Sequence, residues 1–182
     1  MNTIITIFLF LINTISHLIL ISFIMRIFLQ IARSDYNNPI CQFIVKITNP
    51  ILFPFQKIIP PYKGLDIASF LIILTTQIFL STIMFLVLGV PISLYIIIES
   101  IFRLLILILN LLFFLIIIRA LFSWFQSTAH NPLSLILIEI TEPILLLIRE
   151  KIPLIAGIDI SPIVVIIIIH ILIIILQNFL LY

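Results

Sequence analysis

Charged side chains are scarce in this sequence, so those that recur at a fixed place are the first candidates for chemistry. Asp66 and Asp159 each stand two residues after a glycine, Gly64 and Gly157, at the edge of a long apolar run. A carboxylate at a membrane edge can carry protons or coordinate a cation. The same placement suits a helix N-cap, whose side-chain oxygen accepts from orphan amides while its charge meets the positive helix end. Capping is the simpler reading, and the two glycines then fit turns that need positive φ.

A second set of polar residues lies within the apolar runs. Thr6, Asn13 and His17 share one helical face, and Glu99, Arg103 and Asn110 share the equivalent face later in the chain. Glu99 and Arg103 are spaced for an intrahelical ion pair, which lowers the cost of carrying both in lipid. Thr6, His17, Glu99 and Arg103 would line a polar path, whereas interhelical hydrogen bonds that fix packing account for them without transport. Gln77 and His170 occupy matching positions in two other runs. His17 with His170 has the ligand type for haem iron, but two histidines alone are weak grounds, and no cofactor or metal site is expected.

No enzyme constellation emerges. The sequence lacks GxSxG, a Walker glycine loop, HExxH and a Gly-rich dinucleotide turn. Ser123, Ser127 and His130 are close together but have no placed acid, and the single cysteine, Cys41, has no second thiol with which to form a disulfide or a CxxC site. Cys41 reads as a small core residue.

The elements that must position these groups follow from composition. Of 182 residues, 64% are hydrophobic and 9% charged, against about 25% charged in an ordinary soluble domain. This describes an all-α integral membrane protein. Four runs meet the requirement of about 20 apolar residues for a span: 4–25, 67–88, 97–118 and 160–181. The first has neither a basic leader nor a small-residue cleavage site and reads as a retained span. The net charge is +2 with no basic cluster, so nucleic acid is not an expected partner.

Shifting the sequence by 93 positions lays residues 1–89 on residues 94–182 without a gap. Arg26 meets Arg119, Asn38-Pro39 meets Asn131-Pro132, Thr48 and Pro50 meet Thr141 and Pro143, Pro60 meets Pro153, and Gly64 and Asp66 meet Gly157 and Asp159. These residue types set backbone geometry, so duplication explains them better than chance. With two spans per half, the repeats are parallel, related by an axis along the membrane normal.

Eight of the nine basic residues lie in or beside the loop within each repeat: Arg26, Arg33, Lys46, Lys57, Lys63, Arg119, Arg149 and Lys151. The positive-inside rule makes both loops cytoplasmic and both termini external. At the ends of the first and third spans, Arg26 and Arg119 are expected to snorkel and to complement the helix dipole. Each loop is itself apolar, opens with a capping Asn-Pro pair, and meets an internal proline, Pro50 or Pro143, expected to force a kink or a second start. Gln42, Lys46, Asn49, Gln56 and Lys57 fall within roughly 100° of helical arc, as do Glu139, Glu142, Arg149 and Glu150. Each loop is thus expected to form a kinked amphipathic helix, lying in the headgroup plane in preference to a re-entrant hairpin.

The second half, through Arg119, Ser123-Trp124, Asn131-Pro132, Thr141-Glu142-Pro143, Arg149, Pro153, Gly157, Asp159 and Ser161-Pro162, resembles the YggT family of bacterial inner-membrane proteins, and the first half carries the pattern in weaker form. Ile31 stands where the second half has Trp124, Asn49 where it has Glu142, and Ala68-Ser69 where it has the Ser-Pro pair. The resemblance implies a bacterial inner-membrane location and roles in osmotic or ionic stress and envelope organisation, or, as in plastid relatives, cytochrome cofactor assembly and nucleoid distribution. The expected function is a non-enzymatic scaffold or assembly factor whose partners are the bilayer and other membrane proteins or further copies of itself. The alternative is a small oligomeric channel or transporter for ions or osmolytes.

Overall fold

The computed structural model describes residues 3–61, 66–91, 93–124, 131–152 and 159–181, with the side chains of Trp124 and Leu181 outside that description. Among these residues the chain forms six α-helices: α1 (Thr3–Ile31), α2 (Pro39–Gln56), α3 (Ile67–Leu88), α4 (Tyr95–Trp124), α5 (Pro132–Arg149) and α6 (Ser161–Leu181). Lys63, Gly64, Ser127, His130, Pro153 and Gly157, singled out above, lie outside the described residues.

Four helices, α1, α3, α4 and α6, are long and apolar enough to cross a membrane. Much of their sequence is isoleucine and valine, which are modest helix formers in water because branching at Cβ restricts χ1. In lipid that preference is overridden. No water is present to satisfy backbone amides, so a single segment must close its own hydrogen bonds as a helix. Polar side chains inside these helices follow the same logic by bonding to carbonyls one turn back: Thr14 to Phe10, Ser22 to Leu18, Thr75 to Leu71 and Thr82 to Ile78, each at 2.8 Å.

Two of these helices outrun the limits drawn from hydropathy. The first was bounded at 4–25 and the third at 97–118, but α1 continues to Ile31 and α4 to Trp124. At 29 and 30 residues they are about 45 Å long, more than the roughly 30 Å hydrocarbon core. Hydropathy marks where lipid contact ends, whereas the helix continues until a cap stops it. Arg26 and Arg119 therefore sit inside helices and not at their ends, which removes half of the expected reason for them.

The helix ends are specific. Asn131 accepts from the Leu133 amide at 3.0 Å, and Asn38 accepts from the Ile40 amide at 2.9 Å. Pro39 and Pro132 occupy the first helical positions, where the missing N–H costs nothing. Helix α3 ends at Gly89, whose φ of +69° places it in the left-handed region that closes helix carbonyls at a C-cap. Past α1, Arg33 adopts φ +54° while the Ser34 amide bonds back to Leu29 O at 3.0 Å. Helix α2 runs unbroken through Pro50 and Pro54, and α5 through Pro143, so none of the three prolines starts a second helix.

The chain divides into two compact units. One comprises Met1–Ile27 and Phe43–Leu105; the other comprises Phe28–Gln42 and Ile106–Tyr182. In the second unit, Ile116 of α4, Leu145 of α5 and Val165, Ile169 and Ile173 of α6 form one buried cluster. Helix α5 is thus no free surface helix, since its inner side belongs to the core of its unit. Within the same unit, Asn38 donates to Pro132 O at 2.8 Å, tying the start of α2 to that of α5.

Candidate functional site

Each unit contains an arginine on a long helix that gathers the polar residues around it. In the first unit, Arg26 Nη1 donates to Thr48 Oγ1 at 2.6 Å and to Asn49 Oδ1 at 2.8 Å, and its Nε lies 3.6 Å from Asp66 Oδ2. Asp66 also accepts from Gln56 Nε2 at 3.0 Å and from the Ser69 hydroxyl at 2.8 Å, and caps α3 by accepting from the Ser69 amide. Thr48 hands its own proton back to Ile44 O at 2.8 Å. The Asp66 side chain is 6% exposed and that of Arg26 16%, so the arginine does not snorkel to headgroups but is folded inward as the centre of the cluster.

In the second unit the arrangement is extended by charge. Arg119 Nη1 donates to Thr141 Oγ1 at 2.8 Å, and its Nη2 pairs with Glu142 Oε2. The other Glu142 oxygen receives Arg149 Nη1 at 2.7 Å, and Arg149 Nη2 reaches Asp159 Oδ2 at 2.6 Å. Asp159 Oδ1 accepts from both the amide and the hydroxyl of Ser161, at 2.9 and 2.6 Å, at the start of α6. The result is a chain of alternating charge, Arg119–Glu142–Arg149–Asp159, that joins α4, α5 and the start of α6. Arg119, like Arg26, is bound inward.

These contacts set the protonation of the second cluster. Burial pushes the Glu142 carboxyl up, but the hydrogen bonds and charges of Arg119 and Arg149 outweigh it and hold the group below its ordinary value. For Asp159, burial again pushes up, and the Ser161 hydroxyl and amide together with Arg149 prevail, so it too is held low. Arg149 is raised, chiefly by its bond to Asp159, against burial and with help from Glu142. Groups clamped in this way stay charged near neutrality and are poor general acids or bases.

The 93-position shift places Asn49 on Glu142 and Gln56 on Arg149. One cluster has an ion pair where the other has two amides, and both are charge-balanced. Sequence reading noted the first replacement and missed the second. The same shift would have found it, had it been applied to unlike residues as well as to like ones.

The remaining candidates have local partners. The His17 ring is 3.0 Å from Asn13 O, Glu99 pairs with Arg103, Asn110 donates to Ile106 O at 2.9 Å, and His170 lies against Phe113 with ring centres 6.2 Å apart. Thr6 is exposed, and no hydrogen bond among the described residues joins Thr6 or His17 to Glu99 or Arg103. Cys41 is buried, its thiol pushed up by burial and then by the charges of Glu139 and Asp35. Among the described residues, no group of three His, Cys, Asp or Glu side chains is placed to hold a metal ion.

Six helices among the described residues, four of them apolar and of membrane-crossing length, define a multi-span α-helical membrane protein. The chain belongs to the CCB3/YggT family, whose model matches residues 1–88 and again 98–180. It is 32% identical to the uncharacterized protein YggT of Escherichia coli K12 over 163 residues, covering 89% of this chain and 85% of that one. An uncharacterized protein of Pseudomonas aeruginosa is 33% identical over 157 residues, 85% of this chain and 80% of the relative. A further uncharacterized protein, from Haemophilus influenzae, is 34% identical over 142 residues, 78% and 76% of the two chains. No solved structure matches the chain.

Proposed function

We propose that this protein is a non-enzymatic scaffold or assembly factor of the bacterial inner membrane, built from two parallel repeats whose amphipathic helices α2 and α5 lie at the cytoplasmic headgroup plane. The observation that carries this reading is the outer side of α2. Phe43, Ile47, Ile51 and Phe53 are exposed there, beside exposed Gln42, Lys46 and Lys57. An apolar strip flanked by cations suits an anionic lipid surface or the flank of another membrane protein. The inner side of α2 is used differently, since Thr48, Asn49 and Gln56 bind the Arg26 and Asp66 pair and hold the helix in place. Polar residues that do structural work inward and leave an open apolar face outward fit a docking role better than catalysis.

Replacing Phe43, Ile47 and Ile51 together with serine should abolish complementation of a strain lacking this gene under osmotic or ionic stress, while protein level and melting temperature stay near wild type. Charge-neutral replacement of Glu142 and Arg149 by Asn and Gln should leave complementation intact. The reverse pattern would move the functional centre from the α2 face to the ion-pair chain and overturn the reading.

A further inference from the structure

Apart from the docking face, the first unit contains two buried oxygens without a protein partner. Ser81 of α3 and Glu99 of α4 are 2% and 3% exposed, and among the described residues neither Ser81 Oγ nor Glu99 Oε2 has a hydrogen-bond partner. Such orphans are rare and call for a cause. Phe85 and Tyr95 meet across the α3–α4 turn with ring centres 6.4 Å apart, which sets the register of the two helices. Ser81 is four residues before Phe85 and Glu99 four after Tyr95, so each lies one turn further along the same helical face. Only six residues separate the end of α3 at Leu88 from the start of α4 at Tyr95. Ser81 and Glu99 thus stand at equal steps from the Phe85–Tyr95 contact.

The neighbouring groups do not fill the need. Glu99 gives its other oxygen to Arg103, which neutralises the pair, and Ser100 bonds to Ile96 O at 2.6 Å. Helix α3 has no ionisable residue from Ile67 to Leu88, and α1 has only His17 before Arg26. With the carboxylate charge already matched, the missing partner is a neutral hydrogen-bond donor that can also accept. Water has that chemistry, and two polar partners suffice to hold it. Arg103 borders the site on its open side, its side chain 54% exposed while that of Glu99 is 5% exposed.

We propose that Ser81 and Glu99 form a hydrated site between α3 and α4, holding water that enters past Arg103. The test uses the whole chain in lipid nanodiscs, with Cys41→Ala removing the native thiol. Ser81→Cys should react with the membrane-impermeant cation methanethiosulfonate ethyltrimethylammonium about tenfold faster than Leu80→Cys, because a thiol in apolar surroundings ionises less. Adding Glu99→Gln should slow this cationic reagent while leaving neutral methyl methanethiosulfonate unchanged. Equal rates for Ser81→Cys and Leu80→Cys would overturn the proposal. Should the Ser81→Cys protein fail to accumulate, water-edited solid-state NMR on the wild-type chain reads the Glu99 carboxyl directly. Transfer from water as fast as that to exposed Glu150 supports the site, and transfer as slow as that to the Leu80 methyls refutes it.

Discussion

Arg149 holds one oxygen of Glu142 and one of Asp159, and Glu142 in turn holds Arg119, so removing either inner member leaves a charge without its partner. Glu142→Asn alone leaves two arginines facing one carboxylate, and Arg149→Gln alone leaves two carboxylates facing one arginine. Each should lower stability by about 1–3 kcal/mol, the usual cost of orphaning a partly buried polar group. The double variant copies Asn49 and Gln56 of the other unit, so it should recover about 0.5–3 kcal/mol of that loss as coupling. Melting temperatures of the four proteins in one detergent check this, and strictly additive losses would refute it. The same cluster fixes a response to acid. Glu142 and Asp159 are both held below their ordinary values, and a depressed carboxylate contributes stability that is present above its unfolded pKa and lost as pH falls through its folded one. The wild type should therefore lose melting temperature as pH drops below about 4, the ordinary carboxylate range. Arg149 is raised, so its contribution is complete throughout that window and adds no slope. The double variant should show a shallower acid loss, and parallel curves would refute the assignment.

At the scale of the element, the aspartates at the starts of α3 and α6 do two things at once. Asp66 and Asp159 accept from amides at the starts of these helices, as their placement after Gly-x suggests, and each also pairs with an arginine held by another helix. Capping alone would make asparagine harmless, because Asn caps as well as Asp. The arginine changes that expectation. Asp66→Asn should keep the cap and lose about 1–3 kcal/mol through the weakened bond to Arg26, and Asp66→Leu should lose about 1 kcal/mol more as the cap goes. Thermal melts of the two variants separate the roles; an Asn variant as stable as wild type would leave capping as the sole role of Asp66. Helix α5 shows the same division of labour. Its Leu137, Ile140, Thr141 and Leu145 are buried, whereas Leu135, Leu146 and Leu147 are exposed beside Glu150. Its apolar content is therefore shared between its own unit and whatever covers it outside.

At the scale of the whole molecule, the spans bury only 11–28% of their most apolar windows within the chain, so lipid or neighbouring proteins must cover the rest. The positive-inside rule leads us to propose that both long loops face the cytoplasm and Tyr182 the outside. Alkaline phosphatase fused after Tyr182 should be active and a fluorescent protein at the same point dark; the opposite result inverts the topology. Composition alone determined that this is a helical membrane protein with four long apolar segments, because lipid allows such segments no other backbone solution. Spacing alone supplied the 93-residue correspondence, the capping roles of Asn38, Asn131 and Asp66, and the place of Asp159 beside the start of α6, since such contacts are local and depend on residues two or three apart. Only the tertiary structure decided that Arg26 and Arg119 turn inward and that Gln56 and Arg149 each bind the aspartate at the start of the next helix. It alone also placed Leu145 in a core with Val165 and Ile169. Those facts rest on side chains 10 to 24 residues apart in sequence. Hydropathy records how much each residue avoids water but carries no information about which distant partner satisfies it.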